Sequence, residues 1–82
     1  MMNMRFTVYS KDGCPYCNQI ERVLKLTNLE HKVYRLDEDF TRDEFYDEFG
    51  YGSTFPQVVL NDQEYLGGCT DTVKYLQENQ II

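Results

Sequence analysis

In the first third of the chain, the spacing of apolar residues changes from every second residue, as in a strand, to the spacing of a helix. Between Met4 and Ser10, apolar Met, Phe and Val alternate with Arg, Thr and Tyr, which predicts a strand. Lys11-Asp12-Gly13 interrupts that pattern, and Pro15 fits the first turn of a helix, where an N–H group has no intrahelical partner to lose. The helix is predicted to run to about Asn28. Its inward face carries residues at helical spacing: Cys17, Ile20, Val23, Leu24 and Thr27.

A second strand and a second helix follow. Lys32–Leu36 is rich in Val, Tyr and Leu, which indicates a short strand. Thr41 and Glu44 have the spacing of a capping box, so a helix is predicted to open there, run through Phe49 and end at the glycines beyond it. Most of this helix is acidic, and its apolar positions are Phe45, Tyr46 and Phe49.

The remaining chain predicts a hairpin and a last helix. Gln57–Leu60 and Glu64–Leu66 are predicted strands joined at Asn61-Asp62, and Thr70–Asn79 is a predicted helix. In the resulting order, β-α-β-α-β-β-α, the first two strands must be parallel and the hairpin antiparallel. We therefore predict an α/β fold with a mixed four-stranded sheet flanked by three helices. No linker or repeat divides the sequence, so one domain is expected over residues 1–82.

Charge narrows the classes of partner. The chain has 14 acidic and eight basic residues, a net charge of −6, and no Lys/Arg cluster. That balance repels a phosphate backbone, so no nucleic-acid partner is expected. Half of the acidic residues fall between Asp37 and Glu48. This segment is either a solvated helix face or a docking surface for a basic partner.

Hydropathy gives no indication of a membrane partner. The longest apolar run is Val58–Leu60, whereas a bilayer span needs about 20 residues. The first residues lack the apolar stretch of a signal peptide, so a cytoplasmic location is expected. For so small a domain, a monomer is the default expectation.

The three cysteines are the main chemical signal. Cys14 and Cys17 are three residues apart where the first strand meets the first helix, and one helical turn brings their Cα atoms within the ~4.4–6.8 Å that a disulfide requires. The positive end of the helix dipole favours a Cys14 thiolate, so its pKa should fall below the ~8.5 of a free cysteine. Cys17 is expected on the buried face. Cys14 is therefore the predicted attacking sulfur and Cys17 the resolving one.

Two further interpretations concern residues near this pair. Lys11 precedes Cys14 by three residues, where its ammonium would stabilise the thiolate or attract a substrate carboxylate; it is equally an ordinary exposed lysine. A zinc site would need two more ligands at matched spacing, and only His31 and Cys69 remain. No metal site is predicted, and His31 is expected at the surface or on an edge strand.

Three segments together resemble the glutaredoxin family of the thioredoxin superfamily. They are Lys11-Asp12-Gly13-Cys14-Pro15-Tyr16-Cys17, Thr54-Phe55-Pro56-Gln57-Val58 and Gly67-Gly68-Cys69-Thr70-Asp71. Their order and spacing follow the family, and the resemblance extends over essentially the whole chain. It implies a thioredoxin-like fold and a glutathione-dependent thiol–disulfide oxidoreductase. The Cys14/Cys17 dithiol would reduce protein disulfides and glutathione mixed disulfides, with glutathione as co-substrate and no tightly bound cofactor.

The resemblance also implies a glutathione groove beside the cysteines. Thr54-Phe55-Pro56 is similar to the family's Thr-Val-Pro loop, whose proline is cis; the Phe55 main chain would pair with the cysteinyl part of glutathione, although Phe55 replaces the usual valine. The last helix N-terminus would bind the γ-glutamyl end, with Asp71 accepting its ammonium. Lys11 would face the glycyl carboxylate and Tyr16 the sulfur. The implied glutathione contacts are Lys11, Tyr16, Thr54, Phe55, Pro56, Gly68, Cys69, Thr70 and Asp71. Cys69 is expected to be packed, with its main chain touching the ligand.

Two alternative functions share this fold. One is a redoxin reduced by a thioredoxin-type flavoprotein reductase, although such redoxins lack the segment that Gly68–Asp71 resembles. The other is an iron–sulfur cluster carrier using Cys14 and glutathione as ligands. Carriers in the family typically have Cys-Gly-Phe-Ser, whereas Pro15 stiffens this motif and Cys17 offers a competing disulfide. Among protein clients, the resemblance suggests ribonucleotide reductase, a frequent client of the family.

Overall fold

The computed structural model describes residues 4–82. The elements in chain order are β1 (Arg5–Ser10), α1 (Pro15–Leu26), β2 (Glu30–Arg35), α2 (Arg42–Phe49), β3 (Gln57–Leu60), β4 (Glu64–Gly67) and α3 (Cys69–Glu78). The predicted order β-α-β-α-β-β-α is confirmed. None of the helices within the described range has the length and apolar character needed to cross a membrane.

The four strands form one mixed sheet in the order β2-β1-β3-β4. β1 is central: it runs parallel to β2 and antiparallel to β3, and Val8 lies between Val33 and Val58. β3 and β4 form the predicted antiparallel hairpin. Asn61 and Asp62 adopt positive φ angles of 54° and 61° in its turn. The thioredoxin-like fold class is therefore confirmed.

One face of the sheet forms the main core. The alternation in β1 buries Phe6 and Val8 on this face, where α1 and α3 cover them. Of the residues predicted for the inward face of α1, Val23 and Thr27 are only partly buried, and Thr27 is the C-cap. The fully or nearly fully buried members of this core are Phe6, Val8, Ile20, Leu24, Val58, Leu60, Cys69 and Leu76.

The opposite face is covered by an aromatic cluster. Its members are Tyr9, Tyr34, Phe40, Phe45, Phe49, Phe55 and Tyr65. Phe45 is buried in α2 and stacks on Phe55, with ring centroids 4.1 Å apart and planes 11° apart. Burial, followed by the nearby Glu48 carboxylate, raises the pKa of the Tyr9 hydroxyl. Both faces of the sheet are therefore packed, although the alternation of apolar residues in β1 predicts burial of only one face.

Two element boundaries differ from the sequence prediction by two residues, and the other differences are of one residue. β2 begins at Glu30 rather than Lys32, because Glu30 pairs with Arg5 at the start of β1 and extends the parallel ladder. α1 ends at Leu26 rather than near Asn28, since Asn28 adopts a left-handed φ of 58° that a helix cannot continue.

The capping box of α2 is confirmed. The Thr41 N–H donates to Glu44 Oε1 at 2.8 Å, and the Glu44 N–H donates to Thr41 Oγ1 at 3.1 Å. These two bonds satisfy donors that the helix itself leaves unpaired. All seven acidic residues of the 37–48 segment are exposed, which places them on a solvated face. Docking of a basic partner on that face stays a prediction.

Truncation of Phe45 tests whether the aromatic cluster holds α2 on the sheet. Phe45→Ala should lower the free energy of unfolding by about 3 kcal/mol, because a buried phenyl ring is replaced by a cavity. Urea denaturation followed by circular dichroism measures the change. Tyr51→Ala is the control: Tyr51 is 94% exposed, so it should change stability by no more than ~0.5 kcal/mol. Equal losses in the two variants would contradict this role.

Candidate functional site

The two cysteines of the Cys14-Pro15-Tyr16-Cys17 motif lie at the predicted strand–helix junction. β1 ends at Ser10, and Gly13 adopts a φ of +69° in the turn that leads into α1. Cys14 is the N-cap of α1 and Pro15 occupies its first turn. Cys14 and Cys17 are joined in a disulfide with Cα atoms 5.2 Å apart, inside the predicted range.

The environments of the two sulfurs differ. The Cys17 N–H donates to Cys14 Sγ at 3.2 Å, so a free backbone donor of the first helical turn is directed at this sulfur. Cys14 is 6% exposed, whereas Cys17 is completely buried on the inward face of α1 with Ile20 and Leu24. The donor and the helix dipole both stabilise negative charge on Cys14 once the disulfide is reduced. The arrangement suits attack by Cys14 and resolution by Cys17.

A groove of about 290 Å³ adjoins the cysteine motif. Eight of the nine residues expected to contact glutathione line it: Tyr16, Thr54, Phe55, Pro56, Gly68, Cys69, Thr70 and Asp71. Gln57 and Gly67 also line it and were missed as contacts, although both belong to the motifs that carried the resemblance. Lys11, Cys14 and Cys17 do not line this groove.

Strand pairing brings the two walls of the groove together. The Phe55–Pro56 peptide bond is cis, as the resemblance implies, and β3 begins directly after it. Val58 of β3 pairs with Gly67 of β4 beside a bulge. A Cβ atom placed on Gly68 would lie 3.5 Å from the Pro56 carbonyl oxygen, so the two backbones are in close contact. Segments far apart in sequence thus face one another.

The far wall of the groove is the N-terminus of α3. This helix begins at Cys69, one residue earlier than predicted, because Gly68 is its N-cap. The Asp71 carboxylate accepts the Gly68 N–H at 3.4 Å, and a Cβ atom on Gly67 would lie 2.5 Å from Asp71 Oδ2. Glycine at position 67, with φ of +105°, therefore leaves room for the carboxylate. The exposed Asp71 gives this wall a negative charge beside the unpaired N–H groups of a helix N-terminus.

Cys69 is packed, as expected. Only 5% of it is exposed, and it belongs to the main core. Burial raises the pKa of its thiol, so its thiolate is less populated at neutral pH than that of a free cysteine.

Tyr16 lines the groove, and Lys11 contacts a residue that lines it. Tyr16 is 60% exposed and lines the groove. The Lys11 ammonium lies 5.4 Å from the centroid of the Phe55 ring, in a cation–π contact. The Lys11 ammonium therefore contacts an aromatic side chain, which neither sequence interpretation anticipated.

A polar network lies beside the loop that precedes Cys14, and sequence reasoning missed it. Ser10, fully buried at the end of β1, donates to Glu21 Oε2 at 2.9 Å. Arg35 of β2 donates to Glu21 Oε1 at 3.3 Å and lies 4.0 Å from Asp12. These contacts join β1, α1 and β2 to the loop. They were missed because serine at a strand end and charges at separate positions give no pattern in the sequence.

His31 belongs to edge strand β2 and is partly buried. Its Nδ1 lies 2.8 Å from the Leu29 carbonyl oxygen. Among residues 4–82, no group of three or more His, Cys, Asp or Glu side chains is arranged to hold a metal ion.

Comparison with known proteins identifies the family. The family model Glutaredoxin matches residues 6–65, which is more than half of the chain. The chain belongs to the glutaredoxin family. Family membership and the Cys14–Cys17 dithiol together imply thiol–disulfide oxidoreductase chemistry.

Individual glutaredoxins match most of this chain. It is 30% identical over 78 residues to a glutaredoxin from Vernicia fordii, covering 92% of this chain and 74% of that protein. It is 28% identical over 78 residues to mitochondrial glutaredoxin-2 from Pongo abelii, covering 92% of this chain and 48% of that protein. The chain thus spans about half the length of the Pongo abelii glutaredoxin.

Solved glutaredoxin structures share the fold. Glutaredoxin 1 from Francisella tularensis, complexed with cacodylate, superposes with a TM-score of 0.76 at 28% identity, covering 95% of this chain and 96% of that one. A buckwheat glutaredoxin–glutathione complex superposes with a TM-score of 0.75 at 19% identity, covering 93% of this chain and 71% of that one. At that identity the buckwheat match shows the fold alone.

Alkylation of the reduced protein tests the inequivalence of the cysteines. At pH 7, limiting iodoacetamide should modify Cys14 about tenfold or more faster than Cys69, because the helix N-terminus favours the Cys14 thiolate and burial disfavours that of Cys69. Peptide mapping by mass spectrometry measures the rates. In urea, where helix and burial are lost, the three cysteines should react at similar rates. Modification of Cys69 as fast as Cys14 in the folded protein would contradict the assignment.

Proposed function

We propose that this protein is a glutathione-dependent oxidoreductase that reduces protein disulfides and glutathione mixed disulfides. The observation that carries the proposal is the groove beside the Cys14–Cys17 pair, in which Thr54-Phe55-Pro56 faces the first turn of α3. An extended peptide backbone fits one wall, and a zwitterionic amino-acid end fits the other.

Glutathione matches these walls group by group. Its cysteinyl unit would pair with the Phe55 main chain, which places the ligand sulfur toward Tyr16 and Cys14. Its γ-glutamyl carboxylate would accept hydrogen bonds from free N–H groups at the start of α3, and the ammonium of the same γ-glutamyl unit would contact Asp71. Lys11 would face the glycyl carboxylate. Membership of the glutaredoxin family supports this choice of ligand.

Reduction of a glutathionylated protein requires only Cys14. Its thiolate would attack the glutathione sulfur of the mixed disulfide, forming a Cys14–glutathione disulfide and releasing the client thiolate. A second glutathione thiolate would then attack the bound glutathione sulfur, forming oxidised glutathione and regenerating the Cys14 thiolate. The Cys17 N–H directed at Cys14 Sγ stabilises the negative charge that Cys14 carries before and after this cycle.

Reduction of a protein disulfide uses both cysteines. Cys14 would attack one client sulfur and form an intermolecular disulfide while the other client sulfur leaves as thiolate. Cys17 would then attack Cys14, releasing the second client thiolate and forming the intramolecular disulfide seen in the structure. Two glutathione molecules would restore the dithiol by way of the Cys14–glutathione disulfide, supplying the two electrons and leaving as oxidised glutathione.

Serine variants of the two cysteines test the two routes. We expect Cys14→Ser to abolish glutathione-coupled turnover of a small mixed disulfide, because no other thiolate is placed to attack. Cys17→Ser should retain most of that turnover and lose reduction of protein disulfides. NADPH consumption through glutathione reductase measures both. Turnover by Cys14→Ser would refute the nucleophile, and no turnover by folded wild-type protein would refute glutathione dependence and favour a flavoprotein-reduced redoxin or a cluster carrier.

Removal of the Asp71 charge tests the γ-glutamyl wall. Asp71→Asn should raise the KM for a glutathione mixed disulfide about tenfold, since a hydrogen bond between charged groups contributes roughly 1.5 kcal/mol. The pH dependence of Cys14 alkylation should stay unchanged, because Asp71 acts on the ligand. Asp47→Asn removes the same charge from the exposed face of α2 and serves as the control. A change in Cys14 alkylation without a change in KM would contradict the assignment.

A further inference from the structure

The Phe55 ring joins α2 to the loop that precedes the cysteine motif. Its stack on Phe45 has a centroid distance of 4.1 Å, and its stack on Phe40 has one of 6.2 Å with planes 19° apart. Phe45 is itself buried, so the plane of the Phe55 ring is held from the α2 side. The Lys11 ammonium lies 5.4 Å from the centroid of the same ring.

The charge of Lys11 is not neutralised by an acidic neighbour. Among the ion pairs of the described residues, none includes Lys11. The adjacent Asp12 lies 4.0 Å from Arg35 instead, and Arg35 also pairs with Glu21 at 3.3 Å. In a protein of net charge −6, an ammonium without a carboxylate partner is therefore held against a residue that lines the groove. The Lys11 ammonium is therefore free to pair with a negatively charged group of a bound substrate.

We propose that the side chain of Phe55 is a positioning residue for substrate binding: its ring face holds the Lys11 ammonium beside the groove to receive a substrate carboxylate. The inference rests on the proposed function and adds to it a role for this side chain. A ring face attracts a cation, and the stacks on Phe45 and Phe40 fix where that face points. An aliphatic side chain at position 55 has no such face and would leave the Lys11 side chain to move among its rotamers.

Ligand binding to three variants tests the proposal. The probe is S-methylglutathione, which has no free thiol and so leaves the Cys14–Cys17 disulfide intact. Phe55→Leu should weaken its binding about two- to fivefold, the range of a cation–π contact at an exposed site, and Phe55→Tyr should retain wild-type affinity. Lys11→Met should weaken binding by itself, and adding Phe55→Leu to it should cause no further loss. NMR titration measures each dissociation constant.

A structural readout separates positioning from a change in groove shape. The ring current of Phe55 should shift the Lys11 Hε resonances upfield in wild type and in Phe55→Tyr, and the shift should vanish in Phe55→Leu. Lys32 over Tyr34, at 5.7 Å, is a matched cation–π pair outside the residues that line the groove. Tyr34→Leu should therefore abolish the Lys32 shift and leave S-methylglutathione binding unchanged.

A second variant guards against a failure of Phe55→Leu to fold. Phe45→Leu leaves residues Phe55 and Lys11 unsubstituted but removes the ring that stacks on Phe55. The upfield shift of the Lys11 Hε resonances and the affinity for S-methylglutathione should therefore both decrease. Wild-type affinity in folded Phe55→Leu, or an equal loss on the Lys11→Met background, would overturn the inference alone. Failure of wild-type protein to bind S-methylglutathione would overturn the proposed function and this inference with it.

Discussion

The hydrogen bond from the Cys17 N–H to the Cys14 sulfur is the interaction on which the chemistry depends. It exists because α1 begins directly after the central strand β1 and its first turn has N–H groups without helical partners. Parallel pairing of β1 with β2 requires α1 to cross back over the sheet, which buries Cys17 and leaves Cys14 at the helix end. One topological constraint thus makes two chemically identical side chains unequal.

The groove depends on the antiparallel half of the sheet. β3 lies beside β1 and begins directly after Pro56, so the Thr54–Pro56 loop is carried to the edge where α1 begins. β4 returns along β3 and delivers Gly67 and Gly68 to the same edge, followed by the N-terminus of α3. Two helix N-termini therefore lie beside the groove: that of α1 directs an N–H group at the Cys14 sulfur, and that of α3 would bind a carboxylate in the proposed glutathione complex.

The aromatic cluster gives α2 a role in the site although it is outside the cysteine motif. α2 is short and strongly acidic, and its buried attachment to the sheet is Phe45. The stack of Phe45 on Phe55 connects that attachment to the groove, and Phe55 in turn holds Lys11. Packing on the second face of the sheet thereby helps to position the Lys11 ammonium beside the groove.

The amino-acid sequence alone determined the element order, the capping box at Thr41 and the Cys14–Cys17 pair, because these follow from local periodicity and from spacings of three residues. Eight of the nine residues that the family resemblance implies as glutathione contacts line one groove, because pairing of β3 with β4 brings their two motifs side by side. Only the tertiary structure decided the contact between Lys11 and Phe55, the buried tie from Ser10 to Glu21, and the packing of Tyr9 on a second face. Those contacts join residues that are distant in sequence or that carry no periodic signal, so three-dimensional packing alone brings them together.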